Sequence, residues 1–211
     1  RNGNINSYTY DNKGNLIQVV FPLGISNSYT YNSAGDLTAT TDGNGNTTSY
    51  DYDNYGNVTA IHKPLGVNVL LGYDTKSRLT SFTDPRGNVT TVVYDALDRM
   101  TAITDANGNS FVMTYDANGN MLTMKDRKNN ITTYGYDALD RLILLTNALN
   151  QNTSIVYDAR SNVLSVTDAN GITNKNTYDH LNRLMTSMNG NNELTQYSYD
   201  GQYYSNFWEQ F

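Results

Sequence analysis

Tyrosine returns every 21 residues along this chain. It stands at Tyr10, Tyr31, Tyr52, Tyr73, Tyr94, Tyr115, Tyr136, Tyr157, Tyr178 and Tyr199, and aspartate follows each except Tyr31, which precedes Asn32. A fixed period of this length marks a repeat architecture, whose units bury apolar surface mainly against their neighbours. Residues 1–201 therefore read as an array of about ten repeats. Residues 202–211, aromatic and out of pattern, read as a cap or a junction.

Within a repeat, bulky residues alternate with small or polar ones before the tyrosine, as in Thr48-Ser49-Tyr50-Asp51-Tyr52 and Thr132-Thr133-Tyr134-Gly135-Tyr136. Period two predicts a half-buried strand with an aromatic row on one face. A turn follows, Asp11-Asn12-Lys13-Gly14-Asn15 in its plainest form. Asp opens such a turn by accepting backbone N–H bonds, and Gly or Asn supplies the positive φ that closes it. Ser77, Asp98, Asp140, Ser161 and Asn182 take the glycine's place elsewhere.

A second strand starts with an apolar residue six positions after the tyrosine (Leu16, Leu37, Val58, Leu79), and another usually comes three later (Val19, Ile61, Phe82). Positions six and nine have opposite parity, so either a bulge shifts the register between them or both faces are partly covered. A second turn, such as Asp42-Gly43-Asn44-Gly45-Asn46 or Asp105-Ala106-Asn107-Gly108-Asn109, completes the unit. The fold class expected is all-β: a continuous antiparallel β-hairpin array, two strands per repeat, curling through strand twist into a spiral strip or partial shell. No stretch keeps helix periodicity beyond one repeat. From Tyr94 onward the fifth position alternates, Arg99, Asn120, Arg141, Asn162, Arg183. That 42-residue super-period comes either from duplication of a two-hairpin block or from packing.

Composition narrows the function classes. Fourteen Lys and Arg against twenty Asp and Glu give a net charge of −6, which disfavours nucleic acid and anionic membrane surfaces as partners. There are no cysteines, so no disulfides or thiolate metal sites. The longest aliphatic run, Leu142-Ile143-Leu144-Leu145, is too short to span a bilayer. A hydrophobic fraction of only 38% leans toward disorder, but 18 tyrosines supply large buriable area with a polar tip. Arg1-Asn2-Gly3-Asn4-Ile5 is neither an initiator methionine nor a signal peptide and already lies in repeat phase, so the chain is read as a stretch of something longer.

The unit Tyr-Asp-x-x-Gly-Arg/Asn-Leu at this period resembles the YD repeat of Rhs proteins, Tc toxin shell subunits and teneurins, over roughly residues 5–201. The resemblance implies a β-hairpin strip that spirals into a hollow shell, enclosing a toxic polypeptide in bacterial members and serving adhesion in teneurins. It also implies an autoproteolytic Asp-Pro-x-Gly element downstream of the shell. Asp84-Pro85-Arg86-Gly87 has that pattern but lies mid-chain, in phase with the other second turns, and reads as an ordinary turn.

Few residues offer chemistry. His62 and His180 occupy different repeat phases, which disfavours a paired site. Asp51-Tyr52-Asp53-Asn54-Tyr55-Gly56 has a calcium-loop outline, yet Tyr55 replaces a ligand and His62 stands where a bidentate Glu is needed. With only Glu193 and Glu209, a glycosidase pair would have to use turn aspartates. No catalytic residue, metal or cofactor is expected, and the chain is read as non-enzymatic. The ten phase tyrosines are read as structural, packing the strip against itself. The alternative is a carbohydrate-binding or adhesive module in which Tyr50, Tyr52 and Tyr134 contact glycans. The partner expected is the remainder of the polypeptide or an enclosed cargo, in a bacterial protein that is secreted or at the cell surface.

Overall fold

The computed structural model describes residues 5–199, and the aromatic segment 202–211 lies outside the described residues. The strands follow one another as an open antiparallel meander, joined by tight turns. Contacts divide the chain into two units, residues 1–111 and 112–211. In the first, β1 (Ser7–Tyr10), β2 (Leu16–Val20), β3 (Ser26–Tyr31), β4 (Leu37–Thr41), β5 (Thr47–Tyr52), β6 (Val58–Lys63), β7 (Val67–Tyr73), β8 (Leu79–Thr83), β9 (Val89–Tyr94) and β10 (Met100–Thr104) pair in sequence. The boundary falls inside β11 (Ser110–Tyr115). In the second, β12 (Met121–Lys125), β13 (Ile131–Tyr136), β14 (Leu142–Thr146), β15 (Asn152–Tyr157), β16 (Val163–Thr167), β17 (Thr173–Tyr178), β18 (Leu184–Met188) and β19 (Leu194–Gln196) pair in the same way.

A bulge resolves the parity conflict between positions six and nine. Tyr10 pairs with Leu16 but Thr9 pairs with Gln18, so Ile17 is an extra residue in β2. The same shift recurs at Tyr31, Tyr52, Tyr73, Tyr94, Tyr115, Tyr136, Tyr157 and Tyr178. One unpaired residue flips the alternation, so Leu16 and Val19 point to the face that Tyr8 and Tyr10 occupy. Most repeats thus lay four large side chains on one face, Thr40, Asn176 and Ser187 being exceptions. The other face carries small and hydroxylated residues, with pairs such as Thr41 to Thr47 at 2.8 Å and Thr167 to Thr173 at 2.9 Å.

Little of this is buried. Among the described residues only Val19, Ala60 and Val69 are shielded almost fully from solvent. Apolar contact is lateral, strand to strand, rather than through a second layer.

Two second turns open with neither Asp nor Asn. Phe21-Pro22-Leu23-Gly24-Ile25 and Lys63-Pro64-Leu65-Gly66-Val67 form single 3-10 turns in which leucine adopts a left-handed backbone, φ 74° at Leu23 and 66° at Leu65. Proline at the first corner and positive φ at the second make a type II turn, which glycine normally serves. A third local rule links neighbouring second turns. Ile25 closes one turn and Gly43 lies beside it in the next; Ile172 and Gly190 repeat the arrangement. A Cβ at either glycine would collide with the isoleucine Cγ2. In the other second turns from residue 42 to residue 151 the closing residue is Asn, Gln or Val, and Ala, Pro or Arg follows at the matching place, as in Asn88 and Ala106.

The pairing predicts a sign reversal. Neither glycine has positive φ, so Gly→Ala by itself should stabilise by about 0.4–1 kcal/mol. With Ile25 present, Gly43→Ala should instead destabilise by about 1 kcal/mol, and become neutral or stabilising in an Ile25→Ala background. Urea midpoints of the four proteins in the cycle check this.

Candidate functional site

The residue after each phase tyrosine anchors a five-residue loop. Asp11 N–H donates to the Asn15 carbonyl at 2.9 Å and Gly14 N–H to the Asp11 carbonyl at 3.1 Å, with φ 87° at Gly14. That is a type I turn followed by a left-handed residue, a preferred hairpin closure. Asp11 Oδ1 accepts the N–H groups of Lys13 and Asn15, each at 2.8 Å, and Oδ2 accepts the Asn15 amide at 2.9 Å. Where arginine replaces that asparagine, its Nε takes the same place, 2.7 Å from Oδ2 in Asp74–Arg78 and Asp137–Arg141. The substitutes read from sequence do adopt the required backbone: Ser77 at φ 60°, Asp98 at 64°, Asp140 at 59°, Ser161 at 69° and Asn182 at 62°. Asp84-Pro85-Arg86-Gly87 is one more such turn, Asp84 accepting from Arg86 N–H, Asn88 N–H and the Asn88 amide.

These contacts hold the carboxyls of Asp11, Asp42, Asp74, Asp116, Asp137 and Asp158 below the usual carboxylate range, chiefly through the side chain four residues on. A carboxylate with three donors is poorly placed for general-base work or metal binding. Among the described residues no group of three or more His, Asp or Glu is disposed to hold a metal ion.

Stitches run from each hairpin to the next. The Tyr31 hydroxyl donates to the Leu16 carbonyl at 2.9 Å, where the β2–β3 ladder has already ended at Gln18–Ser28. Tyr52, Tyr94, Tyr136, Tyr157, Tyr178 and Tyr199 do the same to residues fifteen before them, at 2.8–3.1 Å. The rings of Tyr94, Tyr157 and Tyr199 also receive the guanidinium of Arg78, Arg141 and Arg183, at 4.6, 4.7 and 4.5 Å from the ring centres. Arg78 goes on to Asp98 at 2.6 Å and Arg141 to the Asp158 carbonyl at 2.8 Å.

Arg and Asn at the fifth position make equivalent contacts to the next first turn. Asn120 reaches Asp140 at 2.7 Å and Asn162 reaches Asn182 at 3.0 Å, as arginine does in the repeats between. Third-position residues alternate too: Lys76 bonds Asp98 and Asn118 bonds Asp140, each at 2.8 Å, and Arg160 bonds the His180 carbonyl at 2.6 Å. The tips they lean on carry Leu97, Leu139 and Leu181.

The phase tyrosines from Tyr31 to Tyr178 are half-buried, while Tyr10 and Tyr199 are more exposed. Burial pushes the Tyr52 phenol up from its usual value, with the Asp36 carboxylate adding to it, which keeps the hydroxyl a donor. Of the residues proposed to contact glycans, Tyr50 and Tyr52 share one face of β5, both half-buried, and Tyr134 lies half-buried in the other unit. An open cleft of about 560 Å³ beside the first turns is lined by Asp11, Lys13, Tyr29, Tyr31 and Asn32, but the turn carboxylate and the Tyr31 hydroxyl are already engaged. His62 bridges Asp51 on β5 at 2.9 Å and Asn68 on β7 at 3.0 Å, which hold its imidazole above the usual value, Asp51 foremost.

The RHS repeat pattern matches residues 31–67, 73–110 and 115–151, just over half of the chain. This chain belongs to the RHS-repeat family. No curated protein matches it. Among solved structures, the RHS-repeat chain is similar to the TcdB2-TccC3 crystal structure, with a TM-score of 0.61 and 19% identity over 89% of this chain and 12% of that one. TcdB2-TccC3 without its hypervariable C-terminal region gives 0.53 and 17% over 87% and 13%. The Photorhabdus luminescens Tc holotoxin pore with a substituted TccC3 gives 0.53 and 17% over 87% and 12%. The likeness is one of fold, and the chain spans about an eighth of the length of those proteins.

Two consequences are measurable. Tyr52→Phe should lose about 0.5–1.5 kcal/mol in urea denaturation, since it strands the Leu37 carbonyl. Stability should also fall in acid. The turn aspartates are depressed in the folded state, so their contribution is complete above the unfolded value near 3.9 and is lost as pH drops through the lower folded values. A pH series of urea midpoints should rise slightly from neutrality to about pH 6, as the raised His62 takes up its proton, and decline steeply below about pH 4.

Proposed function

We propose that this RHS-repeat segment is part of the wall of a β-shell that encloses a polypeptide cargo, within a larger bacterial protein that is exported or displayed at the cell surface. The observation that carries the reading is the joint itself. Each described first turn uses its Asp or Asn side chain to close a hairpin, and for most of them the tyrosine of the next hairpin ties the bulged strand end that the backbone ladder leaves open. Such an arrangement suits a continuous barrier and commits the first-turn carboxylates to their own loops. The fold likeness to TcdB2-TccC3 supports it. Its partners would be the remainder of the same polypeptide or the cargo, lying against the uncovered tyrosine-bearing face. Half-burial of Tyr50, Tyr52 and Tyr134 supports packing over glycan contact.

Limited proteolysis of the parent protein tests this. The polypeptide carried with the repeats should resist protease while the wall is intact, and be digested at least about tenfold faster when Asp53→Ala, Asp116→Ala and Asp158→Ala weaken three turns, each change costing about 1 kcal/mol or more. Equal digestion of both proteins would defeat the shell reading. Glycan-array binding abolished by Tyr50→Ala, Tyr52→Ala and Tyr134→Ala would establish the carbohydrate reading in its place.

A further inference from the structure

His62 and Asp51 both depart from the repeat. Of the ten residues that precede the phase tyrosines only Asp51 is charged; the rest are Thr, Gly, Val or Ser. Of the residues that lead into second turns, from Val20 to Met188, only His62 titrates near neutrality. The two departures meet. His62 Nε2 lies 2.9 Å from Asp51 Oδ2 on β5, and Nδ1 lies 3.0 Å from Asn68 Oδ1 on β7. At the place of His62 and Asn68 other hairpins carry hydroxyl pairs that do not titrate. Thr41–Thr47, Thr104–Ser110 and Thr167–Thr173 bond at 2.8–2.9 Å, each within the two strands of one turn.

The bridge sits at the base of the Lys63-Pro64-Leu65-Gly66-Val67 turn, directly beyond its closing pair, since Lys63 pairs with Val67 and His62 with Asn68. That turn holds Leu65 at φ 66°, a conformation bulky residues avoid. It also lacks the opening Asp or Asn that captures backbone N–H groups in other turns. A side chain reaching across three strands supplies from outside what the turn lacks within. Phe21-Pro22-Leu23-Gly24-Ile25 has the same turn form, with φ 74° at Leu23. There Thr9, Val20 and Ser26 stand 42 residues before Asp51, His62 and Asn68. It is the same turn without the bridge.

Both partner atoms are oxygens, so the imidazole donates from both nitrogens, which requires the imidazolium. A neutral ring keeps one N–H. Rotation of the Asn68 amide then satisfies the bare nitrogen, but the ion pair with Asp51 is lost. On the strands beside it the same face carries Ser49 and Asp51 on β5, Ala60 on β6 and Asn68 and Leu70 on β7. Among the described residues of those strands Asp51 is thus the charged group facing the ring, and Lys63 lies on the other face. Asp51 and Asn68 raise the imidazole above its ordinary value near 6.5, so the bridge is complete below about pH 6.5 and is lost as pH rises through the folded value.

We propose that His62 is a pH-sensitive clasp: charged, it fastens the β6–β7 hairpin to β5, and on losing its proton it lets that hairpin open locally while the rest of the array stays paired. The side chains of His62 and Asp51 are 40% and 64% exposed, so the bridge biases opening and does not abolish it. The inference does not depend on what the wall encloses.

Amide hydrogen exchange, read residue by residue by NMR on the whole chain, tests it. Rates are expressed as protection factors, which removes the intrinsic pH dependence of exchange. Between about pH 6 and about pH 8.5 the protection of residues 61–69 should fall about two- to fivefold. Residues 19–27, around the turn without the bridge, should stay within about 1.5-fold and so report any change in the stability of the whole array. His62→Gln keeps a hydrogen-bonding side chain without the titration, and should leave residues 61–69 insensitive to pH. Asn68→Asp offers the imidazolium a second carboxylate, and should move the fall in protection to higher pH. A His62 ring that titrates at or below about 6.5, an equal response in residues 19–27, or a response that survives His62→Gln would each overturn the proposal.

Discussion

The side-chain oxygen of the Asp or Asn that follows each phase tyrosine from Tyr10 to Tyr178 makes the interaction on which the rest of the structure depends. In Asp137 the carboxylate accepts the N–H groups of Leu139 and Arg141 and the Arg141 guanidinium together. That capture fixes a five-residue closure, and the closure fixes hairpin register. Register in turn places the bulge one residue past the first pair. The bulge then brings the residues six and nine after the tyrosine to the tyrosine's own face. A one-residue slip would send the apolar row to the hydroxylated side. Local turn chemistry therefore sets which face of the sheet is apolar.

A sheet with three well-buried residues among those described cannot rest on a conventional core. Its stability comes from neighbour-to-neighbour terms: backbone ladders, lateral contact between half-buried side chains, and the tyrosine and arginine stitches. Such terms add along an array. Individually they are small, since an exposed ion pair contributes about 0–1 kcal/mol. Repetition, and the satisfaction of carbonyls such as Leu16 and Leu142 that the splayed ladders leave open, make them sufficient. The same economy explains why Arg and Asn interchange at the fifth position: both keep the contact to Oδ2 and the reach to the next turn.

Much of this was legible in the residues. Period two before Tyr52 and the Asp53–Asn57 turn predict strand and closure, because strand alternation and Asx turns are local effects. The conflict at Leu16 and Val19 announced an irregularity but not its kind, since a bulge depends on pairing with Tyr10 and Thr9. Second turns at Pro22–Gly24 and Pro64–Gly66 escaped notice, because leucine at positive φ contradicts local preference. Contacts between repeats, Tyr31 to Leu16, Arg141 to Tyr157, Ile25 to Gly43, join residues 15 to 18 apart in different hairpins. The sequence carries their trace in the recurrence of Ile and Gly eighteen residues apart, Ile25 with Gly43 and Ile172 with Gly190. The glycan reading of Tyr50, Tyr52 and Tyr134 came from residue type alone, and burial on the shared face is what bears on it.

For an RHS-repeat segment, the central claim is that stability lies between hairpins as much as within them. A double-mutant cycle on Arg141 and Tyr157 measures that directly, because the two side chains belong to consecutive hairpins and meet at 4.7 Å. Arg141→Gln and Tyr157→Leu, singly and together, should show a coupling of about 0.5–2 kcal/mol in urea denaturation. Single effects that add to within about 0.3 kcal/mol would contradict the account.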